Sequence, residues 1–155
     1  MKKIVLLLCT LICANVLMAQ TRFTINSITY EVIIENLVEI HAYNDSASVY
    51  VIPSTVTYQG TSYNVTRIGH SAFYNKTGLT SVIIPNSINI IEHFAFEGCT
   101  RLTSVNIPNS VWYIGQDAFL WVKHIIYNGV ATGSPWGAFS VYGFVENGFV
   151  YTDST

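Results

Sequence analysis

The chain of 155 residues is predicted to fold as a β-rich solenoid, and three recurrences predict it. Ile68, Ile91 and Ile114 are separated by one constant interval. Ala72-Phe73, Ala95-Phe96 and Ala118-Phe119 keep the same spacing, and Pro85-Asn86-Ser87 returns at Pro108-Asn109-Ser110. A unit this short cannot bury its own apolar edge, whereas stacked units share one core and pair their backbone from coil to coil.

Each unit has two pieces. The first follows L-x-x-V-x-I, as Leu79, Val82, Ile84 and again as Leu102, Val105, Ile107. Branched side chains pack well on a pleated surface, so this piece is a short strand. Pro85 and Pro108 lack an N–H and close it, and the Asn-Ser that follows supplies a turn. The second piece, (V/I)-x-x-I-x-x-x-A-F, leads into a turn or short helical segment. Its Phe73, Phe96 and Phe119 are expected to stack as an internal aromatic ladder. A period of about 23 residues falls within the leucine-rich repeat range, with short parallel strands in a right-handed α/β-type coil. A sandwich of alternating strands leaves the constant Ile-x-x-x-Ala-Phe spacing unexplained.

The flanks depart from the period. At the start, Lys2 and Lys3 precede an apolar run from Ile4 to Met18 and then Ala19, the layout of a signal peptide over 1–19 cleaved after Ala19. The run is short for a membrane span, and Leu8 and Ile12 before Cys9 and Cys13 disfavour lipidation. Cleavage leaves Cys99 as the sole thiol, which excludes an intramolecular disulfide. The mature chain that remains is long enough for one core. Residues 20–64 read as a β cap with a degenerate first repeat: Ile28, Tyr30, Val32 alternate before a turn at Ile34-Glu35-Asn36, and Val38, Ile40, Ala42 after it. Asp45-Ser46 is a turn, and Ile52-Pro53 is a worn copy of the Ile-Pro step. The interval from Pro53 to Pro85 is longer than that from Pro85 to Pro108, and the excess is looped out as a hairpin around Tyr58-Gln59-Gly60-Thr61. Repeats occupy 65–127, the last shortened so that Val122, Ile125 and Tyr127 fill the strand positions. Residues 128–155 read as a C-terminal hairpin and tail, from Asn128-Gly129 through "TGSPWGAF" to "FVENGFVY".

The units "LTSVNIPNSVWYIGQDAF" (Leu102 to Phe119) and Leu79 to Phe96, the latter with Glu92 in place of Gly, resemble the BspA-type leucine-rich repeat family of secreted or surface-exposed bacterial proteins. The resemblance implies a binding role rather than catalysis. Some members of the family are adhesins for matrix proteins such as fibronectin or fibrinogen. It implies no catalytic residue and no cofactor, and only a mode of binding, through the strand-lined face, carries over.

On that face the outward positions are Thr80, Ser81 and Ile83; Thr103, Ser104 and Asn106; Lys123, His124 and Ile126. The patch is polar and nearly uncharged, with Ile83 and Ile126 as apolar exceptions, and it lacks the aromatic and arginine anchors of tight interfaces. Trp112 and Tyr113 are candidate aromatic contacts for a sugar face. Trp121 and Trp136 are expected to close the end of the stack. His70 and His93 hold equivalent places, but Gln116 breaks the row and no metal site is assigned. No H-E-x-x-H, G-x-S-x-G or nucleotide loop occurs, so the chain is read as no enzyme. Five scattered basic residues against nine acidic ones give the mature chain a formal charge of −4, which excludes nucleic acid and anionic membranes as partners.

Two readings remain. One is a secreted or cell-surface binding module, with the periplasm an alternative location, for an extracellular matrix protein, surface protein or glycan. The other is a structural repeat fragment that self-associates or docks through its C-terminal end.

Overall fold

The computed structural model describes residues 21–127, 136 and 140–142. The segment expected to be a signal peptide and most of the segment expected to be a C-terminal hairpin and tail lie outside them. Among the described residues all regular structure is strand, and no helix is long and apolar enough to cross a membrane.

Three sheets wrap one apolar core. The largest runs β1 (Arg22–Ile25), β2 (Ile28–Ile34), β3 (Leu37–Tyr43), β6 (Thr61–Ile68), β8 (Ile90–Ile91) and β10 (Tyr113–Ile114), with β5 (Thr55–Tyr58) paired to β6. A two-stranded sheet joins β4 (Val49–Val51) to β7 (Ser81–Ile83). A three-stranded sheet runs β12 (Ser140–Tyr142), β11 (His124–Tyr127), β9 (Ser104–Ile107).

The expected cap is present and is larger than the alternation indicated. β2 and β3 form the hairpin around Glu35-Asn36, and β1 adds a second antiparallel hairpin through Asn26 and Ser27, both at positive φ. Asp45 accepts the Ser46 and Ala47 N–H groups at 2.6 and 3.1 Å, which makes the expected turn. The looped-out hairpin also forms: β5 and β6 pair antiparallel about Gln59 and Gly60, at φ 49° and 80°. β6 then changes partners along its length. Its first half takes β5 on one edge, and its second half takes β8 on that same edge, while β3 lies parallel along the other. One strand thus joins the antiparallel cap to the parallel solenoid.

Inside, every described L-x-x-V-x-I position is buried, as are Ile88, Ile91, Val111 and Ile114. The aromatic ladder exists and reaches into the cap. Tyr43, Phe73, Phe96 and Phe119 stack with ring centroids 4.9, 4.8 and 5.3 Å apart. The Ala-Phe step is a turn in each coil, not a helix. Its backbone bonds directly to the next coil: Phe73 N–H to Ala95 O at 2.8 Å, Phe96 N–H to Ala118 O at 2.7 Å, Phe119 N–H to Trp136 O at 2.8 Å. Trp136 packs against the core, whereas Trp121 is 51% exposed. β12 pairs parallel with β11, so the solenoid continues past the third unit.

A second recurrence appears only in the backbone. Ser71, Phe94 and Asp117 have φ of 56°, 58° and 54°, and Asn75, Gly98 and Trp121 have φ of 55°, 74° and 74°. Each coil therefore turns its corner through the same two left-handed residues. That conformation costs an ordinary L-residue about 1–2 kcal/mol, and the inter-coil bonds between these corners hold it in place. Gly98 sits at such a corner, where an added Cβ would meet the Asn75 amide. Gly98→Ala is accordingly expected to lose about 1–2 kcal/mol in urea unfolding. Gly78→Ala, with open space around the added carbon, is the control and should lose far less.

Candidate binding face

The strand-lined face is built by β4, β7, β9, β11 and β12, whose alternate residues point into the core and out of it. Ile83 is 55% exposed and Ile126 43%, and Thr103, Ser104, Asn106 and Lys123 are exposed beside them. Register brings His124 beside Ser104 and Ile126 beside Asn106, with Ser140 and Tyr142 as the next rungs. Thr80 and Ser81 are half-buried. The Thr80 hydroxyl is engaged, donating to Ser48 O at 2.8 Å.

Two features alter the patch expected from the spacing. The face is divided, since β4 and β7 form one sheet and β9, β11 and β12 another. It is also more apolar. Val49 and Val51 are 54% and 57% exposed, and Val51 lies in register with Ile83. A sequence signal existed for the two valines: matching Ile52-Pro53 to Ile84-Pro85 places Val51 on Ile83 and Val49 on Ser81. The outward column therefore reads Val51, Ile83, Asn106, Ile126.

Trp112 and Tyr113 belong elsewhere. Tyr113 starts β10 in the large sheet, so neither joins the hydroxyl face. Trp112 is 53% exposed, while Tyr113 is half-buried with its hydroxyl 3.0 Å from His93 Nε2. The Gln116 N–H donates to His93 Nδ1 at 3.0 Å, so the proton of neutral His93 resides on Nε2 and points at Tyr113. His70 is exposed and packs edge-on against Phe94.

A polar band crosses the outer side of the large sheet. Arg22, Glu31, Glu39 and Arg67 are register neighbours on β1, β2, β3 and β6. Arg22 Nε lies 2.8 Å from Glu31, Arg67 lies 3.3 Å from Glu92 and 3.9 Å from Glu39, and His41 Nδ1 lies 3.2 Å from Glu31. Burial raises the Glu39 carboxyl, and Arg67 opposes that rise. The ligand atoms of Glu31, Glu39 and His41 all lie within 4.8 Å of one another, but both carboxylates are already faced by arginines. Cross-strand neutralisation of this kind explains two glutamates set directly opposite, which unpaired would repel.

Cys99 is fully buried, its thiol donating to Phe73 O at 3.1 Å. Burial pushes the thiol up to about 11, so at neutral pH it is a small core group and not a nucleophile.

Geometry and comparison agree at this point. The family model described as a BspA type leucine rich repeat region (6 copies) matches residues 52–129. The chain belongs to the BspA-type leucine-rich repeat family. A leucine-rich repeat protein of Bacteroides capillosus has a similar structure, with a TM-score of 0.70 and 25% identity over 79% of this chain and 98% of that one. One from Bacteroides ovatus is 31% identical with a TM-score of 0.57, over 78% of this chain and 37% of its own. A leucine-rich cell surface protein of Faecalibacterium prausnitzii, 21% identical with a TM-score of 0.64 over 78% of this chain and 44% of its own, shares the fold. This BspA-type chain thus spans under half the length of the last two. No curated protein matches it. Members of this solenoid family are structural and binding modules rather than catalysts, and the present chain is of that kind.

Proposed function

We propose that this BspA-type chain is exported and binds a surface or matrix protein on its strand-lined face. The observation that carries the reading is the set of exposed apolar side chains, Val49, Val51, Ile83 and Ile126, amid hydroxyls and an amide. Large apolar groups clustered on a surface mark an interaction site more often than isolated ones do. A protein ligand is favoured over a glycan. Among the described side chains the exposed rings that could stack on a sugar face are Tyr74, Trp112 and Trp121; Tyr74 and Trp121 lie in turns and Trp112 directly precedes β10 of the other sheet, so none stands on a strand of this face. Export is supported by the apolar N-terminal segment behind Lys2 and Lys3.

Biolayer interferometry of residues 20–155 against immobilised fibronectin, fibrinogen, collagen, laminin and mucin glycans tests the reading. Saturable binding is expected to a protein of the panel. Ile83→Lys with Ile126→Lys should weaken it by about tenfold or more, the loss of an interface anchor. Equal binding by that variant would remove the face from the account.

A second reading has one supporting observation. The Bacteroides ovatus and Faecalibacterium prausnitzii relatives are more than twice as long as the aligned segment, which suits a module that works stacked on further repeats.

A further inference from the structure

β4 is the edge strand of its sheet, and none of its own three residues is charged. The Ser48 carbonyl accepts the Ser81 N–H at 3.1 Å, and the Ile52 N–H donates to Ile83 O at 3.0 Å. Backbone groups alternate sides along a strand, so Ser48, Tyr50 and Ile52 face β7. Val49 and Val51 present their N–H and C=O groups to the opposite edge, where they find no partner among the described residues. Their side chains are also more than half exposed. An unpaired edge flanked by apolar side chains is a template for another strand, which proteins blunt with charge, with proline or by keeping the strand short; β4 has only its three-residue length and the Pro53 that follows. Here no charged residue occurs between Asp45 and Arg67. β1, the outer strand of the large sheet, is by contrast guarded by Arg22 and its ion pair with Glu31.

We infer that β4 pairs antiparallel with β4 of a second copy of this chain, across a two-fold axis at Tyr50. The sequence Val49-Tyr50-Val51 is self-complementary in that arrangement. Val49 falls opposite Val51 of the second copy, and Val51 opposite its Val49. Both are positions whose backbone groups face the free edge, so each pair exchanges both of its N–H···O bonds, as the hydrogen-bonded pair of an antiparallel ladder requires. The Tyr50 residues form the alternate pair, whose backbone bonds are already directed at β7. On the outer face each pair brings two valines together, and branched cross-strand pairs are favourable. Such a contact is isologous and closes on itself. It makes one continuous sheet in the order β7, β4, β4 of the second copy, β7 of the second copy, and doubles the strand-lined face without covering Ile83. The inference stands on edge geometry and is independent of any ligand for that face.

Sedimentation velocity and light scattering of residues 20–155 over a dilution series, without ligand, test it. The expected result is a mass twice that of the monomer, falling to the monomer on dilution. Val49→Lys with Val51→Lys should run as monomer at every concentration with an unchanged circular dichroism spectrum, because both side chains lie outside the core. Val51→Pro, which deletes an edge N–H while sparing the β7 ladder, should do the same. Hydrogen exchange provides a second readout: the Val49 and Val51 amides should be protected at high concentration and exchange rapidly at low. Wild-type protein that is monomeric throughout overturns the inference. So does a dimer that survives the lysine variant, or a monomer whose edge takes up an extended peptide instead of a second copy.

Discussion

Phe96→Ala is expected to remove about 3–5 kcal/mol of stability, the usual cost of emptying a buried aromatic site. Phe96 is fully buried and is the middle rung of the ladder, 4.8 Å from Phe73 and 5.3 Å from Phe119, with rings tilted by 15° and 8°. Its backbone is fixed on both sides, since its N–H reaches Ala118 O and its carbonyl accepts the Cys99 N–H at 3.2 Å. Neither neighbouring coil is free to collapse into the space, so the cavity term should sit near the top of its range. A domain of this size has about 5–15 kcal/mol to lose, and the urea midpoint should fall by a third or more. Phe96→Leu, which keeps most of the volume, should lose far less. A Phe96→Ala loss below about 1 kcal/mol would contradict a packed continuous ladder.

The second large effect is expected with pH. Cys99, Tyr30, Tyr43 and Tyr50 are all neutral acids whose ionisation is pushed upward, in each case chiefly by burial. A group whose folded pKa exceeds its unfolded one contributes stability that is complete below the unfolded value and lost as pH rises toward the folded value. For Cys99 the window runs from 9 to about 11, and a shift of that size corresponds to a loss on the order of 3 kcal/mol. The tyrosines add losses in the same direction, beginning above pH 10, because the unfolded chain ionises them first. Stability should therefore be flat through neutral pH and drop steeply above pH 9, by several kcal/mol before pH 11. Denaturant titrations at fixed pH measure this. Cys99→Ala should flatten the first part of the fall and leave the tyrosine part intact. A stability curve level to pH 11 would mean that these hydroxyls and the thiol are solvated.

The first expectation rests on residues the repeat identifies by itself, whereas the second draws also on Tyr30 and Tyr43 of the cap. A period keeps equivalent side chains in equivalent surroundings, so Phe73, Phe96 and Phe119 and the L-x-x-V-x-I rows follow from spacing. The hairpin at Gln59-Gly60 follows as well, because the excess over one period has to leave the stack somewhere. The left-handed corners do not. Ser71, Phe94 and Asp117 share a conformation that none of their side chains advertises, since it is set by the bonds between coils and not by local preference.

The candidate face is legible in part. Ile83, Ile126, Ser104 and Asn106 point outward as the strand pattern implies. Val49 and Val51 are legible only once the worn Ile52-Pro53 step is set against Ile84-Pro85, since the constant spacing of the later units does not extend back to them. The distance of Trp112 and Tyr113 from that face depends on which sheet each piece of the unit enters, which the period leaves open.

The amino-acid sequence alone determined the solenoid, its core rows, its cap and its family, because stacked equivalent units must repeat their apolar positions. Tertiary structure alone decided the division of the strand face, the cross-strand band from Arg22 to Arg67, and the unpaired edge of β4. Those features depend on which strands meet and in what register. Pairing between distant segments is a property of the assembled sheets, and no single coil encodes it.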